Sequence, residues 1–267
     1  MKKLLIFALI AVLAVSAVFG LAACNKDNDW AYIEKKGEMV IGYTIFSPMN
    51  YKDESGNLIG FDTELAIALC EELGVEAKFQ LIKWENKFFE LESKNIDAIW
   101  NGFTVTEERK ESTDFSLPYL KNKQIAVVKK SNAAQYTSIE SLAGKKLVAE
   151  KQSAGESAIM GLEDITYTYI RQESQLEAVQ EVLSGTCDVA IVDRVMAEGT
   201  LKGASFQDLQ ILDLGLGGEE EYAIGFRKGS PDTLEKVNAA LKKLYANGKI
   251  QELAEKYAIA ESLIPIE

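Results

Sequence analysis

The segment NGFTVTEER, residues 101–109, places small hydroxyl side chains and an arginine close together, directly after the apolar run IDAIW. It contains one glycine, two threonines two positions apart, two glutamates and the arginine. The guanidinium of Arg109 is a planar fork of N–H donors, which fits the two oxygens of a carboxylate with parallel charge-assisted hydrogen bonds. Because the segment follows a buried strand, it predicts a seat for a carboxylate.

Composition argues against several other kinds of chemistry. The chain has 267 residues, enough for one large domain or two small ones, and 47% of them are hydrophobic. The formal charge of -12 argues against nucleic acid as a partner, since phosphate binding needs clustered cations. The chain has no histidine, the commonest general base and zinc ligand, which argues against hydrolytic triads. An acid-base enzyme could still use carboxylates or lysines. We expect no metal site and no cofactor.

The first residues have the composition of an export signal. Lys2 and Lys3 form a short positive segment, and the next twenty residues are apolar or small. Such a run is also long enough to span a bilayer as an uncleaved anchor. It ends in LAAC, which resembles the lipobox of bacterial lipoproteins, where the cysteine is lipidated and becomes the N-terminus. We therefore expect residues 1–23 to be a lipoprotein signal peptide and residues 24–30 a tether lipidated at Cys24.

Predicted strands and helices alternate along the chain. Strand patterns occur in EMVIGYTI, VEAKFQLI, IDAIWN, KKLVAE and CDVAIVD, and helix patterns in FDTELAIALCEELG, ENKFFELESKN, SQLEAVQEVLSG and the segment that starts at Ser230-Pro231. We expect helix caps at Asp62 and Ser174, and terminating glycines at Gly74 and Gly185. The alternation predicts an α/β fold with mainly parallel sheets.

The second half of the chain repeats the scheme of the first, which predicts two similar α/β lobes. ELESKNIDAIWN and EVLSGTCDVAIVD both lead into a buried strand that ends in a polar residue, Asn101 or Asp193. In open α/β sheets, ligands bind at such carboxyl ends of strands. DFSLPYLKNKQIAVVKK and EEYAIGFRKG are the expected crossings. We expect lobe I to comprise residues 31–121 and 222–267, and lobe II residues 122–221.

Cys70 and Cys187 both lie among apolar neighbours. Buried, unpaired thiols behave as small hydrophobic side chains. A disulfide between them is the alternative in an exported protein, but the predicted lobes separate the two residues. We expect both thiols to be free.

Four segments together resemble the extracytoplasmic solute-binding proteins that deliver polar amino acids to ABC importers. They are IGFDTELAIALCEELGV, NIDAIWNGFTVTEERKESTDFSLPY, CDVAIVD and YAIGFRKGS, and the resemblance spans residues 38–258. It implies a Venus-flytrap fold, in which two lobes joined by two crossing strands close on one free amino acid. It also implies a monomer that works with a membrane permease. With a lipid on Cys24, the protein would be anchored at the outer side of the bacterial cell membrane.

The resemblance assigns ligand contacts to lobe I. Arg109 matches the arginine that binds the ligand's α-carboxylate, and Thr104 matches a hydroxyl residue that helps hold both carboxylate and ammonium. At Gly102 a backbone carbonyl approaches the ammonium, and Asn101 lies near the ligand side chain. Taken without the motif, Arg109 is equally well explained as an exposed helix arginine. We expect Thr106 to cap the helix that carries Arg109.

Lobe II is expected to complete the site. Asp193 matches the carboxylate that pairs with the α-ammonium. The segment EKQSAGES matches the loop whose backbone N–H groups, at Ala154 and Gly155, complete the carboxylate seat. The side-chain hydroxyl common at the position of Gly155 is missing. Lys151 matches a position that can touch the ligand side chain, and a solvated surface lysine is the alternative.

Two aromatic residues and two departures from the family pattern bear on the ligand side chain. Phe46 and Trp84 match aromatics that sandwich its carbons, with core packing as the alternative for each. Relatives selective for basic amino acids commonly have an acid where this chain has Thr44. Lys151, if directed inward, would favour a side chain with acceptors. We therefore expect a polar amino acid such as Gln, Glu, Asn or cystine.

Two other functions remain open from the sequence. A dehydratase on this scaffold would need an acid with a raised pKa in the cleft, and no residue pattern marks one. A sensor would usually continue into a transmembrane and signalling segment, whereas this chain ends at Glu267, although a lipoprotein could present its ligand to a receptor. We expect a binding cycle without catalytic residues.

Overall fold

A computed structural model describes residues 29–266, so the predicted signal peptide and Cys24 lie outside the described residues. Its α-helices are α1 (Asp29–Lys36), α2 (Phe61–Leu73), α3 (Lys87–Glu92), α4 (Glu107–Ser112), α5 (Ala154–Met160), α6 (Gln175–Ser184), α7 (Arg194–Thr200), α8 (Pro231–Ala246) and α9 (Lys249–Lys256). Its strands are β1 (Glu38–Tyr43), β2 (Tyr51–Lys52), β3 (Leu58–Ile59), β4 (Glu76–Leu81), β5 (Ala98–Ile99), β6 (Thr113–Phe115), β7 (Leu120–Asn122), β8 (Gln124–Lys129), β9 (Lys146–Glu150), β10 (Thr168–Gln172), β11 (Val189–Asp193), β12 (Leu209–Leu212), β13 (Glu220–Tyr222) and β14 (Gly225–Arg227).

The first of two five-stranded sheets has the order β4-β1-β5-β14-β6. β1 pairs in parallel with β4 and β5, whereas β14 pairs antiparallel with β5 and β6. Helix α2 packs against β4, α8 and α9, and its apolar face, Leu65, Ala66 and Leu69, is fully buried. Because β14 comes from the far end of the chain, the C-terminal segment completes this sheet.

The second five-stranded sheet has the order β10-β9-β11-β8-β12. β9 pairs in parallel with β10 and β11, and β8 pairs antiparallel with β11 and β12. Every residue of β11 is buried, as expected of a strand covered on both faces, and α5 and α6 pack against β9 and β11. The predicted α/β fold with two sheet-containing lobes is confirmed. The sheets are mixed rather than mainly parallel, since each has two parallel and two antiparallel pairs.

Two short strands run side by side between the sheets. β7 and β13 pair antiparallel, with Asn122 opposite Glu220. Each strand connects one sheet to the other, so both chain crossings lie together as a Venus-flytrap fold requires. The predicted lobe boundaries, between residues 121 and 122 and between residues 221 and 222, fall within this strand pair.

Most predicted helix ends are confirmed. Thr106 caps α4 by accepting a hydrogen bond from the N–H of Arg109 (3.1 Å), and the Ser174 hydroxyl caps α6 in the same way. Gly74 and Gly185 end α2 and α6 in the left-handed conformation. These caps depend on residues within one turn of the helix end, which is why the sequence predicts them.

Two local predictions are wrong. Asp62 does not cap α2, which begins at Phe61. Its carboxylate is buried and accepts hydrogen bonds from the N–H of Gly102 and the hydroxyl of Tyr119. Trp30, which was expected to lie in the tether, belongs to α1 and is buried. Both errors arise from contacts with distant parts of the chain.

Cys70 and Cys187 are buried and free, as predicted. Between residues 29 and 266, no helix is long and apolar enough to cross a membrane. Over the same range, no group of three or more His, Cys, Asp or Glu side chains is arranged to hold a metal ion.

Candidate ligand-binding site

A narrow and nearly filled cavity lies between the two sheets. Residues from both lobes line it: Phe46, Trp84, Asn101, Gly102, Thr104, Arg109, Glu150, Ser153, Ala154, Gln175 and Asp193. The structure therefore brings together eight of the ten predicted ligand contacts. Gly155 and Lys151 are the two that do not line the cavity.

Arg109 lies in the first turn of α4, and its side chain is buried. Its Nη1 donates to the carbonyl of Thr104 (2.8 Å), and its Nη2 donates to the carbonyl of Gln152 in lobe II (3.3 Å). The guanidinium carbon lies 4.9 Å from the ring centroid of Phe103. Burial lowers the pKa of Arg109, while the nearby Asp193 carboxylate acts in the opposite direction. The alternative of an exposed helix arginine is excluded.

Gly102 begins the loop that carries Thr104, and its conformation requires glycine. Its φ is 58°, and a Cβ at this position would lie 2.7 Å from the ring of Phe46. The N–H of Gly102 donates to Oδ2 of Asp62 (2.7 Å), and the Tyr119 hydroxyl donates to Oδ1 (2.9 Å). Burial raises the pKa of Asp62 to about 7, although these two hydrogen bonds lower it. Asp62 thus holds the loop from inside lobe I, a role that sequence reasoning missed.

Asn101 lines the cavity, but its side chain is bonded within lobe I. Its Oδ1 accepts from the N–H (3.1 Å) and hydroxyl (2.6 Å) of Thr44. Its Nδ2 donates to the Thr44 carbonyl (3.0 Å) and to Oδ1 of Asn50 (2.7 Å). Asn101 therefore fixes the cavity wall. The Thr44 hydroxyl is directed to Asn101, and Thr44 is not among the residues that line the cavity.

Asp193 is the last residue of β11, and amide side chains orient it. Its Oδ1 accepts from Nδ2 of Asn122 (2.5 Å) and Nε2 of Gln124 (2.8 Å), and its Oδ2 accepts from Nε2 of Gln175. Gln175 also accepts from the N–H of Asp193 (3.0 Å). Burial raises the pKa of Asp193, and these amides act against that rise. Sequence reasoning missed Gln175, although it directly follows the predicted cap Ser174.

A second carboxylate, the partly buried Glu220, lies beside Asp193. Its Oε2 accepts from Nδ2 of Asn122 and Nε2 of Gln124 (2.9 Å each) and from the Thr104 hydroxyl (3.5 Å). Burial and the charge of Asp193 raise the pKa of Glu220 to about 7. The segment EEYAIGF contains this residue, but its sequence predicts only a crossing strand.

The loop after β9 reaches the cavity at Ser153 and Ala154. The Ser153 hydroxyl caps α5 by accepting from the N–H of Glu156 (3.1 Å). Gly155 packs on β11 instead, since a Cβ at this position would lie 2.5 Å from the carbonyl oxygen of Ile191. The close approach of α5 to β11 is sufficient to require glycine at 155, without reference to a ligand.

Lys151 does not enter the cavity, which corrects its predicted contact with the ligand side chain. Its Nζ lies 2.5 Å from Oε1 of Glu173 and 3.8 Å from Oε2 of Glu85, and all three side chains are partly exposed. Glu150, one position earlier, lines the cavity instead. Successive side chains of an extended chain point to opposite sides, so only one of the two residues can face inward.

Lys87 is a buried lysine next to the cavity that sequence reasoning also missed. It is 1% exposed, and its Nζ donates to the carbonyls of Trp84 and Gln152 (3.2 Å each). Burial lowers the pKa of Lys87 to about 7. The carbonyl of Gln152, a residue with a φ of 54°, thus accepts from both Lys87 and Arg109 of lobe I. These bonds connect the two lobes in a closed arrangement.

The two predicted aromatic side chains form apolar parts of the cavity wall. Trp84 starts the 3-10 helix Trp84–Asn86 and meets Phe103 edge to face, with ring centroids 5.7 Å apart. Phe46 is fixed through its backbone, because its N–H donates to the carbonyl of Asn50 (2.7 Å). Both rings are therefore packed in lobe I and also face the cavity.

Comparison with known proteins gives three consistent results. A sequence model of the bacterial extracellular solute-binding proteins, family 3, matches residues 39–260. The L-cystine-binding protein TcyJ of Escherichia coli (strain K12) is 29% identical over 257 residues, which cover 94% of both chains. The arginine-binding extracellular protein ArtP of Bacillus subtilis (strain 168) is 33% identical over 257 residues, covering 95% of this chain and 98% of ArtP.

Solved structures agree with this result. The substrate-binding protein of an ABC uptake transporter from Streptococcus pneumoniae, solved with bound histidine, aligns with a TM-score of 0.80 at 31% identity. The alignment covers 87% of this chain and 97% of that structure. The relatives are thus binding proteins with different amino acids in their names.

Proposed function

We propose a ligand-binding mode for this chain, which belongs to the bacterial extracellular solute-binding proteins of family 3. The chain is an extracytoplasmic binding component for amino-acid import. Arg109 binds the α-carboxylate of one free amino acid, and Asp193 binds the α-ammonium. Thr104 and the carbonyl at Gly102 add contacts to the ammonium. The backbone N–H groups after Ser153 complete the carboxylate seat.

One observation carries this assignment: a buried arginine of lobe I and a buried carboxylate of lobe II line the same cavity. Isolated buried charges are unfavourable, so a site with both signs favours a ligand that carries both. A free amino acid is such a ligand. The amides of Asn122, Gln124 and Gln175 support the reading, because they hold the Asp193 carboxylate in one orientation before the ligand arrives.

The proposed cycle needs two states of the lobes. In the open state the ligand docks on lobe I, where Arg109, Trp84 and Phe46 lie. Closure adds Asp193 and the loop after β9, and contacts that exist only in the closed state shift the population towards it. The carbonyl of Gln152 contributes directly, since it accepts from Lys87 and Arg109 only when the lobes meet.

The closed form then delivers the amino acid to a membrane permease. Anchoring by a lipid on Cys24, a monomeric state and the absence of catalysis are part of the same proposal. The relatives named above support the non-catalytic reading, since each is named for binding. The raised pKa values of Glu150 and Glu220 follow from burial next to other carboxylates and do not require a chemical step.

A ligand screen tests the proposal. The full chain in mild detergent is unfolded thermally, followed by tryptophan fluorescence, with each of the twenty amino acids, cystine and ornithine. A ligand at about 100 times its Kd stabilises the folded state by about 2.7 kcal/mol and raises Tm. We expect one or a few free amino acids to do so.

Variants connect the shift to the site. Arg109→Ala and Asp193→Asn should abolish the shift, because each removes one charge that pairs with the ligand. Lys110→Ala is the matched control: it lies on the same short helix, but its side chain is half-exposed. The proposal fails if no amino acid raises Tm in folded protein freed of carried-over ligand, or if Arg109→Ala retains the full shift.

A further inference from the structure

Glu150 is a carboxylate of the cavity for which the proposed contacts have no role. It is the last residue of β9, between β10 and β11, so its carboxylate lies at the same sheet edge as Asp193. It is only 4% exposed and lines the cavity. Its position one residue before Lys151 makes it the inward-facing member of that pair.

The Glu150 carboxylate is buried without a bonded partner. Within the described part of the chain, no side chain or backbone N–H donates a hydrogen bond to it and no cation lies within salt-bridge distance. Lys87 and Arg109 act on it only at longer range. Lys87 donates to the carbonyls of Trp84 and Gln152, and Arg109 donates to those of Thr104 and Gln152. A buried charge without a partner is strongly unfavourable. Burial and the charge of Asp193 accordingly raise the pKa of Glu150 to about 8.

The charges around the cavity also favour a ligand that brings an additional positive charge. If all of them are ionised, three carboxylates, Glu150, Asp193 and Glu220, lie at or beside the cavity together with two cations, Arg109 and Lys87. An amino acid with a neutral side chain adds one charge of each sign at its α-carbon and leaves an excess of one negative charge. A ligand with a positive side chain removes that excess without protonation of a carboxylate.

From this geometry, and on the basis of the proposed function, we infer that Glu150 is a specificity residue that binds the cationic side chain of the ligand. The substrate class is then an amino acid with a guanidinium or ammonium side chain. Trp84 and Phe46 would contact its aliphatic carbons, and Glu150 its charged end.

This inference replaces the sequence-based preference for a ligand with acceptors, which depended on Lys151 pointing inward. It also accounts for Thr44. The absence of an acid at that position does not disfavour a cationic ligand if the acid is supplied by lobe II. Because Glu150 belongs to lobe II, its contact with the ligand would form only on closure, which favours the closed state for cationic ligands.

Matched ligand pairs provide the test. Arginine and citrulline have the same length, but the guanidinium is replaced by a neutral urea group in citrulline. Lysine and norleucine differ by the ammonium. Affinities of the full chain are measured by equilibrium dialysis in mild detergent. For at least one pair we expect the cation to bind at least tenfold more tightly, since a charge-assisted contact in a protected site contributes about tenfold to hundredfold in affinity.

Glu150→Gln keeps the shape of the side chain and removes its charge, so it should reduce that preference to below threefold. Glu163→Gln, an exposed residue of the same lobe, makes the same charge change and should leave the preference unaltered. The comparison within wild type does not depend on the folding of any variant. Circular dichroism verifies that both variants are folded.

The outcomes separate the two proposals. If wild type binds some amino acid but shows less than a tenfold preference in both pairs, the inference about Glu150 is wrong and the proposed function stands. A preference that persists in Glu150→Gln also overturns the inference. If wild type binds no amino acid of any class, the proposed function itself fails.

Discussion

Replacing Asp62 with asparagine tests whether its buried carboxylate, which holds the loop that begins at Gly102, destabilises the folded protein when it is ionised. Asp62 has no exposed surface. Its partners, the N–H of Gly102 and the hydroxyl of Tyr119, both belong to lobe I, so opening of the cleft does not change them. In Asp62→Asn the amide oxygen can still accept from Gly102, and the amide nitrogen can donate to Tyr119.

The sign of the pH dependence follows from the pKa of Asp62, which is raised from 3.8 to about 7 in the folded protein. A raised carboxyl pKa favours folding below the unfolded value and loses that effect as the pH rises through the folded value. The difference corresponds to about 4 kcal/mol of destabilisation well above pH 7, at 1.36 kcal/mol per pH unit. When the pH is raised from 5 to 8, the free energy of unfolding of Asp62→Asn should therefore increase by about 2–3 kcal/mol relative to that of wild type.

Urea unfolding of ligand-free protein at pH 5 and pH 8 measures this gain, because all other titrations cancel in the difference between variant and wild type. Asp208→Asn removes one exposed carboxylate and reports the effect of net charge alone. A difference between Asp62→Asn and wild type that stays constant within about 0.5 kcal/mol over this range would refute the reasoning. Amino-acid binding should persist in the variant, since Gly102 keeps its acceptor.

Two further predictions concern the loop after β9. Lys151→Ala should change ligand affinity by less than about threefold in equilibrium dialysis, because the ammonium pairs with Glu173 at the surface; a tenfold loss would return Lys151 to the site. Gly155→Ala should destabilise the protein by about 1–3 kcal/mol in urea unfolding, since the new methyl group meets the backbone of Ile191. Gly161→Ala, whose added methyl group would be no closer than 3.4 Å to its neighbours, is the matched control, and equal stability of the two variants would contradict the packing argument.

Local features of the sequence were sufficient to predict the main alternation of strands and helices, although not the shorter elements such as α5, β10 and α7. These features depend on neighbours within a few positions. They are the helical or strand periodicity of apolar residues, cap residues such as Thr106 and Ser174, and the glycines that follow helices. The motif around Arg109 carried the prediction of a carboxylate seat, and the aspartate at the end of β11 was placed on the facing lobe. The structure brings both into one cavity.

The tertiary structure alone decided which acids and lysines are buried. Lys87 reaches the carbonyl of Gln152, 65 positions away. Glu220 is joined to Asp193 through the amides of Asn122 on β7 and Gln124 on β8. The choice between Glu150 and Lys151 as the inward side chain depends on how β9 meets its neighbours. Burial and electric field are sums over groups that come together only in the folded chain. Residue types and spacing therefore predicted the proposed seat for the α-carboxylate, whereas packing decided that Glu150 rather than Lys151 lines the cavity.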